Sequence, residues 1–260
     1  MLEECAGRSI EARLLSDTAR ISDRAVAVRS GLGWYGKHSC VIVPGHGSWV
    51  MLGEAIVDVA IEVSPPLDRD CGSCSRCLDA CPTGAIVAPY IIDAPRCLSF
   101  QTIEQRGAIP HPIRSQLGDW VFGCDICQEV CPYTGAAVVF GDPDFAPRSP
   151  ECVFPSLTWL LRMTEGEFRA TYAGTAVLRA KRRGLARNAA IAMGNTGDRD
   201  MVPVLVKTLQ EHDEPLVRGH AAWALGSLGG TRSRAALDDA LSRETNAEAL
   251  CEIRRALERS

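Results

Sequence analysis

The chain has 260 residues, of which 46% are hydrophobic and 23% charged, with a net charge of −4. That describes a soluble globular chain large enough for two domains, and its acidic balance gives no global attraction to nucleic acid. Its longest apolar run, Val50 to Val63, is broken by Glu54, Asp58 and Glu62, so no segment approaches the roughly 20 residues that span a bilayer.

Met1 to Gly7 reads as the middle of an amphipathic helix without a cap. Ile10 to Leu15 suits a short strand ending in the polar turn Ser16-Asp17-Thr18-Ala19. Residues 22–30 suit a helix capped by Ser22 and closed before Gly31. Val41-Ile42-Val43 and Trp49 to Leu52, around Pro44-Gly45-His46-Gly47, predict a hairpin. Residues 64–70 form a linker into a cysteine-rich segment that runs to about Pro147. Beyond Pro155 the composition turns to alanine, leucine and arginine, and a repeat of 32 residues emerges. Ala189-Ala190-Ile-Ala192-Met193-Gly194 aligns with Ala221-Ala222-Trp-Ala224-Leu225-Gly226, and Ala256-Leu257 follows one period later. Such helices, with alanines that permit close stacking, predict a short α-solenoid of HEAT type; a plain helical bundle is the alternative.

Gly31-Leu-Gly33-Trp-Tyr-Gly36-Lys37 matches G-x-G-x-x-G and nearly matches a P-loop. His38 stands where a P-loop needs Ser or Thr for magnesium, and Trp34 and Tyr35 would crowd a pyrophosphate. A dinucleotide loop follows a strand and opens a helix, whereas this one follows a helical segment. Nucleotide binding is therefore rejected. A tight structural turn, or a polar loop around another large cofactor, is left.

Cys71, Cys74, Cys77 and Cys81-Pro82 make a full C-x2-C-x2-C-x3-C-P run. A second copy, Cys124, Cys127 and Cys131-Pro132, is preceded by the lone Cys97. In two-cluster ferredoxins the fourth cysteine of each run ligates the other cluster. Transferred here, Cys71, Cys74, Cys77 and Cys131 hold one 4Fe–4S cluster, and Cys97, Cys124, Cys127 and Cys81 the other. Paired C-x2-C units also make zinc sites, but the three-cysteine comb before Cys-Pro, occurring twice, argues for clusters. Cys5, Cys40, Cys152 and Cys251 show no ligand spacing and read as buried or half-buried thiols. A disulfide framework is not expected in a chain of this size without a secretion signal. Arg179, Lys181, Arg182, Arg183 and Arg187 form a run of positive charge without an acid.

Asp17-Thr-Ala19, the glycine loop, Gly47-Ser-Trp49, Leu52-Gly-Glu54, Cys-Pro-Thr-Gly-Ala-Ile at 81–86, Pro89-Tyr90, Arg96-Cys97-Leu-Ser99, Thr102-Ile-Glu104 and Gly123-Cys-Asp125 occur in that order, with a helical repeat behind them. In this combination the chain closely resembles the epoxyqueuosine reductase family. The resemblance implies an α+β protein in three parts: a remnant of a cobalamin-binding α/β domain (1–66), a dicluster ferredoxin-like domain (67–147) and a C-terminal HEAT-like helical repeat (155–260). It also implies a cytoplasmic oxidoreductase, acting as a monomer, that reduces epoxyqueuosine to queuosine in the tRNA anticodon loop. The implied cofactors are cobalamin, as cob(II)alamin, and two 4Fe–4S clusters; the implied partners are tRNA bearing epoxyqueuosine and an external electron donor. Family members carry a further N-terminal segment, so an in-frame extension upstream of Met1 is expected. Where the family usually shows Pro-Trp-Asn, this chain has Pro132-Tyr133-Thr134.

The same resemblance assigns site residues. Asp17 becomes a general acid for the departing epoxide oxygen, which requires burial or an apolar neighbour to keep it protonated; an Asx-turn or helix cap is its structural alternative. Lys37, Ser39, Ser99 and Asp125 become contacts to the corrinoid. Arg179, Lys181, Arg182, Arg183 and Arg187 become a tRNA-backbone grip, since arginine donates two hydrogen bonds to a phosphate at once. No histidine is assigned. A dicluster electron carrier and a corrinoid reductive dehalogenase share the cluster motif, but a carrier has no use for the Asp17 and glycine-loop strings. A dehalogenase has none for the solenoid and basic run.

Overall fold

The structure is a computed structural model that describes residues 7–137 and 150–259 together with positions 4, 143, 146 and 147. The helix expected at Met1 to Gly7, and Cys5 within it, lie outside the described residues but for Glu4 and Gly7. The chain divides into two compact units. One comprises Met1–Asp93 and Asp125–Gly141, the other Ala94–Cys124 and Asp142–Ser260.

The first unit is built on three two-stranded antiparallel ribbons. β1 (Ala12–Leu15) and α1 (Asp23–Arg29) appear where the alternation and the glycine stop predict them. Ser22 occupies the N-cap position, but its hydroxyl makes no capping hydrogen bond. β2 (Trp34–Tyr35) pairs with β3 (Val41–Ile42), Trp34 opposite Ile42. β4 (Glu54–Val57) returns to pair with β1, Leu15 opposite Glu54. The hairpin expected around Pro44 to Gly47 is therefore corrected. Val43 bridges only to Gly47, and Trp49 and Met51 are 60% and 81% exposed with no strand partner. Burial decides this, because Trp34 and Ile42 form the unit's small core with Cys131, and only the β2–β3 pairing buries both.

α2 (Arg76–Ala80) and α3 (Ile126–Glu129) are single turns within the two cysteine runs, carrying Cys77 and Cys127, and they pack against each other. Between them β5 (Ile86–Ala88) and β6 (Ile91–Ile92) form the third ribbon. The Tyr133-Thr134 departure is accommodated locally. Tyr133 meets Trp34 edge-on at 5.0 Å, and the Thr134 hydroxyl lies 3.2 Å from that of Ser48.

The second unit is helical. Its repeat consists of α4 (Lys181–Asn195), α5 (Val202–Glu211), α6 (Pro215–Leu228), α7 (Thr231–Arg243) and α8 (Ala247–Leu257). α4 and α6 are buried along most of their length, which is why they carry alanine and glycine rather than one apolar stripe. A Cβ on Gly194 would lie 2.8 Å from Ala224 Cα, and one on Gly226 2.9 Å from Ala256 Cα. The Ala-Ala-x-Ala-x-Gly string is thus the contact by which each repeat seats the next. Gly194→Ala is expected to cost about 1–3 kcal/mol, because its methyl would overlap backbone that cannot yield. Urea unfolding measures it, and an unchanged midpoint would contradict the close contact.

Residues 94–124 pack with this helical unit and not with the rest of the cysteine segment, so compactness does not follow the boundaries expected at 67 and 147. The reason lies on α4. Arg187 donates to the carbonyls of Gln101, Gln105 and Gly107, Asn188 to those of Thr102 and Val121, and Asn195 to those of Arg114 and Gly118. Arg114 in turn makes a two-pronged pair with Glu252 of α8, at 2.7 and 2.8 Å.

Candidate iron–sulfur and catalytic site

Cys71, Cys74, Cys77 and Cys131 line one cavity, shared with Lys37, His38 and Tyr133. Cys71 and Cys74 come from the loop leading into α2, Cys77 stands on α2 itself, and Cys131 follows the end of α3. Cys131 stands in extended backbone (φ −71°, ψ 122°) because Pro132 follows it, and Cys81 before Pro82 does the same (φ −67°, ψ 113°). Burial pushes the Cys77 thiol up from its ordinary value, and Cys71, Cys131 and Cys74 add like-charge repulsion. Four thiols that repel one another around one space need shared cationic charge to ionise, which iron supplies. The spacing suits a polynuclear cluster, in which each iron takes one thiolate, better than a lone zinc ion.

The glycine loop forms one wall of this cavity. It is the β2–β3 hairpin turn, closed by Gly36 N–H donating to Cys40 C=O and Ser39 N–H to Gly36 C=O. The Lys37 ammonium donates to the carbonyls of Gly72 and Cys74 at 2.7 and 2.9 Å, so it fastens the cysteine loop. Two of its three donors are thereby withdrawn from the corrinoid role assigned to it. Ser39, in left-handed backbone (φ 67°), donates its hydroxyl to Tyr90 C=O, while Arg24 donates to Ser39 C=O. His38 is 2% exposed. Its Nδ1 accepts from Cys40 N–H at 3.1 Å, and burial holds its pKa below the ordinary value against the pull of a backbone hydrogen bond. Beside the loop, Arg24, Trp34, Tyr35, Ser39, Leu67, Arg69 and Tyr90 line an open groove.

Cys81 belongs to the first unit, and its surroundings favour the thiolate more than water does. Burial alone would raise its pKa, but hydrogen bonds from the Thr83 hydroxyl and the Ala85, Ile86 and Thr83 backbone outweigh it, and the value falls below the ordinary one. The Cys-Pro-Thr-Gly turn creates that environment, with Ala85 N–H 3.2 Å from the sulfur. Cys127, on α3, lies in the same unit, whereas Cys97 and Cys124 lie in the second. There the helix Leu98–Ile103 begins at Cys97, and Gly123 N–H donates to Thr102 of that helix. This bond ties the Cys124 turn to the Cys97 helix. Ser99 is half-buried on this helix. Asp125, in the first unit, is exposed and accepts from Gln128 Nε2 at 2.6 Å, which is local helix-start work.

Asp17 sits in the turn after β1, exposed, in left-handed backbone (φ 45°) that aspartate tolerates better than most residues. The burial expected to keep it protonated is absent from this conformation. Its backbone N–H donates to Asp23 of α1 at 2.9 Å. Asp23 also shares a hydrogen bond with Glu54 of β4. Burial, the Asp23 charge and that shared bond together raise the Glu54 pKa above its ordinary value. The turn carrying Asp17 thus rests on Asp23, which is itself hydrogen-bonded to a Glu54 carboxyl of raised proton affinity. Sequence reading missed Asp23 and Glu54, because six residues and a strand pairing separate them from Asp17; the Leu52-Gly-Glu54 string was the available signal.

The basic run is not one surface. Arg187 is fully buried, its guanidinium bound to three carbonyls and to Asn188, and burial pulls its pKa down to about 10. It leaves the tRNA-binding set. Arg182 is mostly buried and pairs with Asp213 at 2.6 Å, and Arg179 pairs with Glu104 at 2.6 Å. Lys181 and Arg183 are exposed. Consecutive residues fan around a helix, so a sequence run of charge cannot share one face. Cys40 is half-buried as expected, but Cys152 and Cys251 are exposed, which corrects their reading as buried thiols.

Comparison with known proteins supplies the rest. Residues 70–134 match the family described as "4Fe-4S double cluster binding domain", and residues 175–258 match "HEAT repeats". The chain is 37% identical over 249 residues to the epoxyqueuosine reductase of Bacillus anthracis, covering 96% of this chain but 65% of that relative, just under two thirds. Among solved structures, an epoxyqueuosine reductase with a tRNA-Tyr epoxyqueuosine-modified stem loop is similar at TM-score 0.92 and 35% identity. The match covers 99% of this chain and 68% of that one. The Bacillus subtilis enzyme, with its catalytic aspartate loop swung out of the active site, is similar at TM-score 0.90 and 35% identity over the same shares. With the double-cluster segment, the helical repeat and the backbone all matching at this level, the chain belongs to the epoxyqueuosine reductase family.

Proposed function

We propose that this chain forms the iron–sulfur, general-acid and tRNA-docking parts of an enzyme that reduces epoxyqueuosine to queuosine in a tRNA anticodon loop. The observation that carries the proposal is the convergence of Cys71, Cys74, Cys77 and Cys131 on one cavity in a chain of this family. The second cluster is assigned to Cys81, Cys97, Cys124 and Cys127 by spacing. Reduction of the epoxide to an alkene takes two electrons and two protons and releases water. An external donor supplies the electrons, which the clusters pass on one at a time. Cobalamin, when bound, supplies a strongly reducing cobalt centre beside the substrate.

The groove suits one face of a broad, flat macrocycle with amide arms. Trp34, Tyr35, Leu67 and Tyr90 offer flat and apolar surface, and Arg24, Arg69 and Ser39 offer polar atoms around it. Of the contacts expected from sequence, Ser39 remains best placed. Lys37 instead holds the cysteine loop, and Asp125 starts α3. Asp17 donates the proton to the departing oxygen. Its turn is exposed, so its surroundings become dry only with substrate over it.

The activity is tested by supplying reconstituted enzyme with cobalamin, a low-potential reductant and epoxyqueuosine-bearing tRNA, then digesting the tRNA and weighing its nucleosides. Queuosine formation that depends on both cobalamin and iron supports the reading. Cluster reduction without any queuosine would leave an electron carrier instead.

For tRNA docking, Arg179, Lys181 and Arg183 are the exposed members of the run, and Arg179 is held by Glu104. Lys181→Glu with Arg183→Glu is expected to weaken tRNA binding and to reduce the slope of log affinity against log salt by about two. Arg182 stays untouched in this test, since reversing it would break its pair with Asp213. Unchanged affinity at low salt would make the run an ordinary solvated face.

A further inference from the structure

We propose that His38 is a hydrogen-bond donor to the cluster held by Cys71, Cys74, Cys77 and Cys131, and that this bond raises the cluster's reduction potential. The inference rests on the assignment of those four thiols to one cluster. A 4Fe–4S cube takes four protein ligands, and the thiols supply all four, so the imidazole acts as a donor and not as a ligand.

Two independent contacts fix the ring, and its place in the cavity is a third observation. Cys40 N–H donates to its Nδ1 at 3.1 Å, which places the proton of the neutral ring on Nε2. Gly36 lies against one side of it. A Cβ there would stand 2.6 Å from Cε1 and 3.0 Å from Nε2 of His38, and 2.9 Å from Ile42 Cδ1. The glycine of this motif therefore makes room for an imidazole where a phosphate loop would make room for a phosphate. His38 also lines the same cavity as the four thiols.

Nε2 is the informative atom. It is fully buried, and among the described residues it has no hydrogen-bond partner. Buried N–H groups are seldom left unpaired, because the lost hydration is not recovered. The partner that the cavity calls for is an anionic acceptor lying among the cysteine sulfurs. A sulfide or thiolate sulfur of the cluster meets that description. Reduction adds a negative charge to the cluster, so the bond strengthens in the reduced state and favours it. Potentials of iron–sulfur clusters are tuned in this way by hydrogen bonds to their sulfurs.

The test uses anaerobically reconstituted protein, labelled with nitrogen-15 at histidine and reduced with dithionite. Pulsed electron paramagnetic resonance is expected to show nitrogen-15 coupling to a reduced cluster, together with an exchangeable proton. His38→Gln, which keeps a donor at similar reach, should lose that coupling yet hold the wild-type potential. His38→Phe fills the space without a donor. At the ambient potential that half-reduces the wild-type cluster, its ratio of reduced to oxidised cluster should fall by about three- to tenfold. A formed, reducible cluster without histidine coupling in the wild type overturns the inference whatever the variants do. So does a His38→Phe protein with an unchanged potential. Protein that takes up no iron sinks the ligand assignment first, and a formed cluster without coupling sinks this inference alone.

Discussion

Replacing Cys131 by alanine is expected to remove the cluster held by Cys71, Cys74 and Cys77 while sparing the one assigned to its nearest sequence neighbours, Cys124 and Cys127. Iron should fall from about eight to about four atoms per chain, and half of the charge-transfer absorption should go with it. The expectation follows from geometry. Cys131 is buried beside Trp34 and Ile42, on the wall that also carries Cys71. Alanine leaves one iron without a thiolate; Arg76 and Lys37, which line the space, cannot ligate, and the ring of His38 is held by Cys40 N–H at Nδ1. Spectroscopy that showed the loss on the other cluster would reverse the crossed assignment. Zinc bound in place of iron in the wild type would remove it altogether.

Asp17→Asn is expected to lower turnover by about 10²–10⁴-fold, the usual size of a general acid's contribution. Asparagine keeps the shape of the side chain and tolerates the left-handed backbone at this position, so the turn should survive. The backbone N–H that reaches Asp23 is untouched by the substitution. Iron content and cluster potentials should be unchanged, and the loss should appear in kcat measured on epoxyqueuosine-bearing tRNA. Wild-type turnover would return Asp17 to the role of a turn residue. The exposed position of Asp17 sharpens this expectation. Nothing in its own turn covers the side chain, so its surroundings as an acid must come from what substrate and cofactor place around it.

The cysteine spacing was enough by itself to place a double iron–sulfur domain on this chain, because ligand number and chain reach are local properties. A C-x2-C-x2-C comb can wrap three corners of a cube without help from elsewhere, and the proline after the fourth cysteine sets that residue's backbone. The helical repeat was equally legible, since Gly194 and Gly226 recur wherever two helices must touch. The β1 strand and the α1 helix were also local, the one an apolar stretch and the other bounded by Ser22 and Gly31.

Partners distant in sequence were decided only by the fold. Val41–Ile42 found Trp34–Tyr35 instead of Trp49 to Leu52, an apolar run at similar distance along the chain, because that pairing buries the Trp34 indole. Residues 94–124 went to the helical unit because Arg187, Asn188 and Asn195 satisfy their carbonyls. That same assignment turned Arg187 from a surface charge into an internal fastener, something no count of charges can reveal. The glycine loop shows the division most clearly. Its residues excluded a nucleotide, but their use depended on bringing position 38 against positions 71 to 77 and 131. Only tertiary packing could do that, by placing one buried imidazole in the lining of the cavity that the four thiols share.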